Sequence, residues 1–213
     1  LEDETVHTLQ AGVRQLLHEK LFFDATVFYS RYHDIQSIQV NPVTGIASNN
    51  GDGSAESWGA EFAVEWNALE NWRLRGSYSA LHVDYQPPFV AAPTNSFFSQ
   101  YEDASPEHQF QLHSFLQLRD DLQLDAHLYW TGATEERIVR FVSPEPLQVK
   151  VDDRLRLDLR LAWTPTPDLT LAIVGQNLLE NTQQETATPR FAFSQPRLAE
   201  IPRTVYGSVT LRF

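Results

Sequence analysis

The chain has 213 residues, of which 42% are hydrophobic and 21% charged, a composition that fits one large globular domain or two small ones. Its net charge of −12 at pH 7 argues against binding to nucleic acid, because a phosphate backbone needs a basic surface. The sequence contains no Cys, which excludes disulfides and thiolate metal sites, and it has no apolar run of about 18 residues that would predict a transmembrane helix.

Alternation of apolar and polar side chains predicts about nine strands, each with one apolar and one polar face. The clearest example carries Trp58, Phe62 and Trp66 on one face and Glu61 and Glu65 on the other. In chain order the predicted strands are 5–17, 21–40, 58–66, 72–85, 107–119, 122–131, 151–164, 169–178 and 201–213. The all-β class follows from this pattern.

The predicted connections alternate between short and long. Short turns are predicted at 18–20, 69–71, 120–121 and 165–168, and long loops at 41–56, 86–106, 132–150 and 179–200. Outer-membrane barrels segregate their connections in this way, with short periplasmic turns and long extracellular loops. Residues 49–54 hint at a calcium loop but lack the downstream bidentate Glu, so a flexible turn is expected there.

All five tryptophans fall at the ends of predicted strands. Trp66, Trp72 and Trp163 are expected at the periplasmic interface, and Trp58 and Trp130 at the outer one. An indole at a membrane interface keeps its ring in lipid and its N–H near water, so this pattern predicts an aromatic girdle. A soluble β-sandwich, which places core tryptophans in mid-strand more often, is the alternative.

The second face of the predicted strands is charged, which would be costly in a dry core but not against water or a polar plug. Its members are Glu61, Glu65, Arg75, Asp125, His127, Arg154, Arg156, Asp158 and Arg160. The three arginines among residues 154–160 are predicted to salt-bridge to neighbouring strands or to the plug, with anion conduction as the alternative. Because single-chain bacterial barrels have an even number of strands, the chain is expected to be the C-terminal part of a wider barrel.

Several short stretches resemble one family. Gln176-Asn177-Leu178-Leu179 is similar to an "NL" signature that ends the penultimate strand, and Pro202-Arg203-Thr204 before a terminal Phe213 resembles the family's last segment. Ser57, Gly59 and Glu61 are similar to its "GxE" strand start, and Phe28-Tyr29 resembles the long strand before it. On these residues the chain resembles the C-terminal barrel portion of a TonB-dependent outer-membrane receptor, as one domain fragment over 1–213.

The resemblance implies a transmembrane barrel of about 22 strands with an N-terminal plug, in the Gram-negative outer membrane. It implies a receptor that takes up ferric siderophores, haem, cobalamin or glycans with energy from TonB. The sequence shows neither plug nor TonB box, so contact with TonB is expected through an N-terminal region outside 1–213. Outer-membrane lipid and the barrel-assembly machinery, reading Phe213, are further implied partners. No catalytic residue, cofactor or metal site is expected.

If there is a ligand, the long loops are expected to meet it. They carry aromatic and Arg side chains, which suit anionic or catecholate iron chelates through stacking and charge. The candidates are Phe97, Phe98, Tyr101, Arg137, Arg140, Arg190 and Phe193. Packing between loops is the alternative for each of them.

Two other function classes stay open at this point. One is a barrel enzyme with Ser, His and Asp at its rim, although no GxSxG elbow occurs. The other is a soluble β-sandwich that binds a partner. The seven histidines show no HExxH spacing, and His108 and His113 lie on opposite faces of one predicted strand, so they cannot chelate one ion together.

Overall fold

A computed structural model describes residues 3–40, 44, 46–86, 105–138, 147–188 and 197–213. Nine strands form one antiparallel sheet: β1 (Thr5–His18), β2 (Leu21–Val40), β3 (Ala47–Leu69), β4 (Trp72–Gln86), β5 (His108–Arg119), β6 (Leu122–Thr131), β9 (Arg154–Thr166), β10 (Leu169–Gln176) and β13 (Thr204–Leu211). Two hairpins stand apart, β7 (Thr134–Ile138) with β8 (Leu147–Val151) and β11 (Thr182–Thr188) with β12 (Arg197–Pro202). No helix in these ranges has the length and hydropathy of a membrane span.

The sheet is a meander in which each strand pairs with its neighbours in the chain. Its order is β1-β2-β3-β4-β5-β6-β9-β10-β13, and the two hairpins are insertions between β6 and β9 and between β10 and β13. Within the described ranges β1 and β13 are edge strands, so the sheet is open. The nine strands predicted from side-chain alternation are confirmed.

Three predicted loops contain strands. The predicted loop 41–56 is wrong over its second half, because β3 begins at Ala47 and residues 49–50 pair with Ile38 and Ser37 of β2. The supposed turn around Gly51 therefore lies in a strand whose backbone is held by β2, which needs no apolar alternation. The other two loops, 132–150 and 179–200, hold β7–β8 and β11–β12. β7, β11 and β12 lack alternation, whereas β8 alternates Leu147, Val149 and Val151 with Gln148 and Lys150 over only five residues.

At one end of the sheet, two residues separate the strands of each hairpin, at 19–20, 70–71, 120–121 and 167–168. Each of these turns lies beside a register shift. The second turn residue also accepts a backbone hydrogen bond of 2.8–2.9 Å from the strand segment that follows its hairpin. These bonds run from Asn67 to Lys20, Gln117 to Asn71, Thr164 to Asp121 and Arg212 to Asp168. The four turns therefore form a regular, compact edge.

The register places the two kinds of side chain on opposite faces. The apolar face carries continuous cross-strand rows, one of which is Val13, Ala25, Phe62, Tyr78, Phe110, Trp130 and Leu155. Its side chains are open, as with Leu9 at 76%, Ile173 at 63% and Val209 at 67% exposed. No second layer covers this face in the described ranges. An apolar face of this size requires an apolar environment.

Gly59 marks a close approach between strands. A Cβ at this position would clash with the carbonyl oxygen of Ala80 and lie 2.6 Å from Cζ of Phe28. We expect Gly59→Ala to force β3 and β4 apart and to lower the free energy of unfolding by about 1–3 kcal/mol. Denaturant unfolding of the protein measures this loss.

Gly207→Ala is the matched control for Gly59→Ala. A Cβ at Gly207 would meet only the Ala172 carbonyl oxygen, at 3.8 Å, which is ordinary van der Waals contact. Its effect should stay within about 0.5 kcal/mol. Equal unfolding midpoints for the two variants would show that the approach at Gly59 is not tight.

Candidate functional site

The opposite, polar face of the sheet holds the densest set of ionisable side chains. Cross-strand pairing aligns five of them, one from each of five neighbouring strands, in what we call the central row: Glu65, Arg75, His113, His127 and Asp158. All nine charged residues predicted for this face lie on it, and so does His113. The sequence-based assignment of this face is confirmed.

Ion pairs tie these side chains to one another. Arg75 Nε lies 2.9 Å from Glu65 Oε2, and Arg160 Nη1 lies 2.9 Å from Asp125 Oδ2. Arg156 makes a two-pronged contact with Asp158, at 2.9 and 2.6 Å. Asp125 is only 7% exposed, and its other oxygen accepts from Gln123 at 2.7 Å. The predicted salt bridge to a neighbouring strand is confirmed for Arg160, whereas Arg156 pairs with Asp158 on its own strand.

Arg154 differs from its two neighbours on β9. Its Nη1 is buried and has no hydrogen-bond partner among the described residues. It lies toward the long-loop end of the strand, opposite Thr131. A cationic donor in this position is available to an acceptor that approaches from the loops.

Two histidines stack at the middle of the central row. His113 and His127 are direct cross-strand partners, and their ring centroids lie 4.3 Å apart with planes inclined by 22°. The Nε2 atoms of both rings are buried and have no hydrogen-bond partner among the described residues. His127 Nδ1 lies 3.4 Å from the Tyr129 hydroxyl. The sheet thus presents two adjacent imidazoles whose Nε2 atoms make no hydrogen bond there.

Asn177 closes the polar face where β10 ends. Its side chain is fully buried, and its φ of 50° lies in the left-handed region. The backbone N–H donates to Asp158 Oδ1 at 2.9 Å, and the side-chain Nδ2 donates to the Ile201 carbonyl at 2.9 Å. Asn177 therefore connects β9, β10 and β12 at one point.

The five tryptophans all lie on the apolar face. Trp66, Trp72 and Trp163 are near the short turns, and Trp58 and Trp130 are nearer the long connections. Three indole N–H groups donate to polar atoms: Trp72 to Ser114, Trp130 to Asp153 and Trp163 to Asp121. These positions match a girdle, and the role itself remains a prediction.

The turn residue Asp121 shows how such an indole affects its acceptor. Trp163 Nε1 donates to Asp121 Oδ2 at 2.8 Å, and Arg119 lies beside the same carboxylate. The indole bond first, and the guanidinium with it, hold the pKa of Asp121 below its usual value. The carboxylate thus stays ionised at the short-turn edge.

The predicted ligand-contacting residues are not placed by the structure. Phe97, Phe98, Tyr101, Arg140, Arg190 and Phe193 lie outside the described residues. Arg137 belongs to β7, but its side chain is also outside the description. Phe213 follows β13 with a fully exposed side chain, and its role as an assembly signal remains a prediction.

Two open grooves lie on the surface of the protein, one on the polar face of the sheet and one at its long-loop end. One, of about 470 Å³, runs along the polar face of β1 to β5 and includes Gln10, Thr26, Glu61, Ser77, Ser79 and Gln111. The other, also about 470 Å³, lies at the long-loop end beneath β7–β8 and includes Glu107, His108, Trp130, Lys150 and Asp153. Hydroxyl, amide and carboxylate groups line the first groove, so it suits a hydrated, polar occupant.

The histidine stack was missed by sequence reasoning. Both residues fall on the predicted polar face, but which residue of one strand meets which of the next depends on the turn. A two-residue turn at 120–121 taken alone would pair His113 with Leu128. The register shift between Gln117 and Arg119 moves the partner of His113 to His127, and the sequence gives no signal for that shift.

Comparison with known protein families identifies a matching family. A model described as "TonB dependent receptor-like, beta-barrel" matches residues 1–178 of the chain. A comparison with curated proteins finds no match.

Solved structures show the same fold. The ferric-catecholate import receptor Fiu from Escherichia coli aligns with a TM-score of 0.73 and 20% identity, over 99% of this chain and 28% of that one. The pyoverdine outer membrane receptor FpvA from Pseudomonas aeruginosa aligns with a TM-score of 0.76 and 14% identity, over 99% and 30%. The ferric yersiniabactin uptake receptor FyuA from Yersinia pestis gives 0.70 and 14%, over 99% and 30%. The chain therefore spans under a third of these receptors.

Proposed function

The chain belongs to the TonB-dependent receptor β-barrel family, and on that basis we propose that it is the C-terminal part of an outer-membrane receptor for active uptake of a ferric siderophore or similar metal chelate. The polar face of the sheet then lines the barrel lumen, and the apolar face meets the hydrocarbon of the outer membrane. TonB, on which the family name states dependence, supplies the energy, and in this proposal it acts through an N-terminal plug region.

The observation that carries this proposal is the separation of an apolar face from a polar face over nine strands, with a few exceptions such as Phe22 and Phe115 on the polar face. Apolar rows on one side are open and uncovered in the described ranges, whereas the other side is lined by ion pairs, amides and hydroxyls. A sheet with this division fits between lipid and a water-filled lumen, and a soluble sandwich would bury its apolar face. The family and the aligned structures describe transport receptors, which supports transport rather than a barrel enzyme.

The siderophore class rests on the structural neighbours and on the loop composition. Fiu, FpvA and FyuA are described as receptors for ferric catecholates, pyoverdine and ferric yersiniabactin. The loops of this chain carry the aromatic and Arg residues that suit anionic chelates, with Arg140 and Arg190 as the charged examples. Phe213 and the girdle tryptophans complete the proposal as the assembly signal and the lipid contacts.

The test is uptake of radiolabelled iron by cells that express the full-length protein. Ferric catecholate, hydroxamate and mixed chelates are supplied one at a time, with labelled cobalamin as a control. We expect uptake of one chelate class that is abolished in a matched strain lacking TonB. Uptake that is unchanged without TonB, or transport of cobalamin alone, would contradict the proposal.

A further inference from the structure

We propose that His113 and His127 form a two-histidine site for a divalent transition-metal ion on the polar face of the sheet. The ion belongs to the class that prefers imidazole nitrogen, namely Cu²⁺, Ni²⁺ or Zn²⁺. The site is separate from the loop residues proposed to meet a chelate, and it does not depend on the transport proposal.

Strand pairing places the two imidazole rings next to each other on one face of the sheet. His113 of β5 and His127 of β6 are direct partners in the register. Such partners have Cβ atoms about 4.5–5.5 Å apart and point to the same side of the sheet. Their ring centroids are 4.3 Å apart, so the imidazoles already lie side by side. Two ligands from adjacent rigid strands lose little conformational freedom when they bind one ion.

The nitrogen atoms that would bind the ion make no hydrogen bond. Nε2 of each ring is buried and has no partner among the described residues. By contrast, the charged neighbours of the stack, Arg75 and Asp158, are engaged in ion pairs. Buried polar atoms in proteins are nearly always hydrogen-bonded, and a bound ion is one of the recognised explanations for an exception. Among the described residues, the two Nε2 atoms of this pair are therefore the atoms of the central row that are placed to bind an ion.

Tyr129 orients one of the two rings. Its hydroxyl lies 3.4 Å from His127 Nδ1. When Nδ1–H donates to this oxygen, Nε2 keeps its lone pair, which is the tautomer that a metal ligand requires. The rings are nearly parallel, with planes inclined by 22°, and rotation about the soft χ2 torsion turns both Nε2 lone pairs toward one ion.

The affinity expected of the two-histidine site depends on the charge around it and on the number of ligands. The two carboxylates of the central row, Glu65 and Asp158, are each paired with one guanidinium, that of Arg75 and that of Arg156, so these four groups carry no net charge. No group of three or more His, Cys, Asp or Glu in the described ranges is placed to hold a metal ion. The protein therefore supplies two nitrogen ligands, and water completes the coordination. Such a site should follow the general order of affinity, with Cu²⁺ bound more tightly than Ni²⁺ or Zn²⁺.

The experiment uses the full-length protein, purified in detergent without a His tag and stripped with a chelator. Cu²⁺ and Ni²⁺ are titrated by calorimetry, and the Cu²⁺ complex is examined by electron paramagnetic resonance. We expect one bound Cu²⁺ with two nitrogen ligands. His113→Gln and His127→Gln should each lower the affinity at least about tenfold, and Tyr129→Phe about tenfold through loss of the orienting bond.

The matched control is the double variant His7→Gln with His33→Gln. These two rings meet edge-on at 6.2 Å and are not direct cross-strand partners. The control should bind Cu²⁺ as the unmodified protein does, and retained heat-modifiable migration shows that each variant is folded. Absence of Cu²⁺ binding by the unmodified protein, or an affinity that is unchanged in His113→Gln and His127→Gln, would overturn the proposal.

Discussion

Replacing Phe62 with Arg is expected to lower the free energy of unfolding in a lipid bilayer by about 2–4 kcal/mol. Phe62 lies on the apolar face of β3, midway between Trp58 and Trp66. If these two tryptophans sit at the two interfaces, Phe62 lies near the bilayer midplane, where a guanidinium is most costly. The measurement is denaturant unfolding of the full-length protein in lipid vesicles.

The surroundings of Phe62 support the size of this effect. Its cross-strand partners are Ala25 and Tyr78, and its ring centroid lies 4.9 Å from that of Phe23. The substitution removes this aromatic contact and offers no carboxylate on the same row. The cost therefore combines lost packing with the transfer of a charge toward hydrocarbon.

Ala63→Arg is the matched control, one residue along the same strand. Ala63 lies on the polar face, opposite Asp24 and Ser77, beside the groove. An Arg there faces water and can approach the Asp24 carboxylate, so we expect a change within about 1 kcal/mol. If both variants lose the same stability, or if Ala63→Arg loses more, the assignment of the faces to lipid and lumen is wrong.

Replacing Asn177 with Ala is expected to cost about 2–4 kcal/mol in the same assay, by two independent effects. Loss of the amide leaves the carbonyl of the half-buried Ile201 without its donor, a change worth about 1–3 kcal/mol. The φ of 50° adds about 1 kcal/mol or more, because Asn visits the left-handed region readily and Ala does not. The Asn177 Oδ1 has no partner among the described residues, so its removal adds no further penalty.

Asn177→Gly separates the two effects. Glycine adopts the left-handed conformation without strain, so this variant should lose only the contribution of the side-chain hydrogen bond. We expect its unfolding midpoint to fall between those of the unmodified protein and Asn177→Ala. A glycine variant that is less stable than the alanine variant would show that the backbone conformation at this position is not the constraint.

Side-chain alternation was sufficient to predict which face each residue occupies. Trp58, Phe62 and Glu65 lie where the period of two places them, because a strand has only two faces and one of them must avoid water. The same argument placed the charged residues of β6 and β9 on one face. For the alternating parts of the nine-stranded sheet, the face that a residue occupies is therefore a local property of this sequence.

Which residues of neighbouring strands pair with each other is harder to predict from the sequence. The partner of His113 depends on the geometry of a turn several residues away, and Asn177 reaches Ile201 across an inserted hairpin. The upper part of β3, from Ala47, forms because β2 offers it a row of backbone groups, which composition does not reveal. Residues such as Gly51 and Asp52 are turn formers by propensity, and tertiary pairing overrides that propensity.

The backbone bonds at the short turns also bear on the order of assembly. Each turn residue, such as Lys20 or Asp168, is bonded to the strand segment that follows its own hairpin, so completed hairpins are joined only to their nearest neighbours in the chain. Contacts between sequence neighbours close small loops and carry a small entropic cost. The wall of the barrel can therefore grow by addition of one hairpin at a time, and every intermediate ends in an open strand that is the template for the next addition.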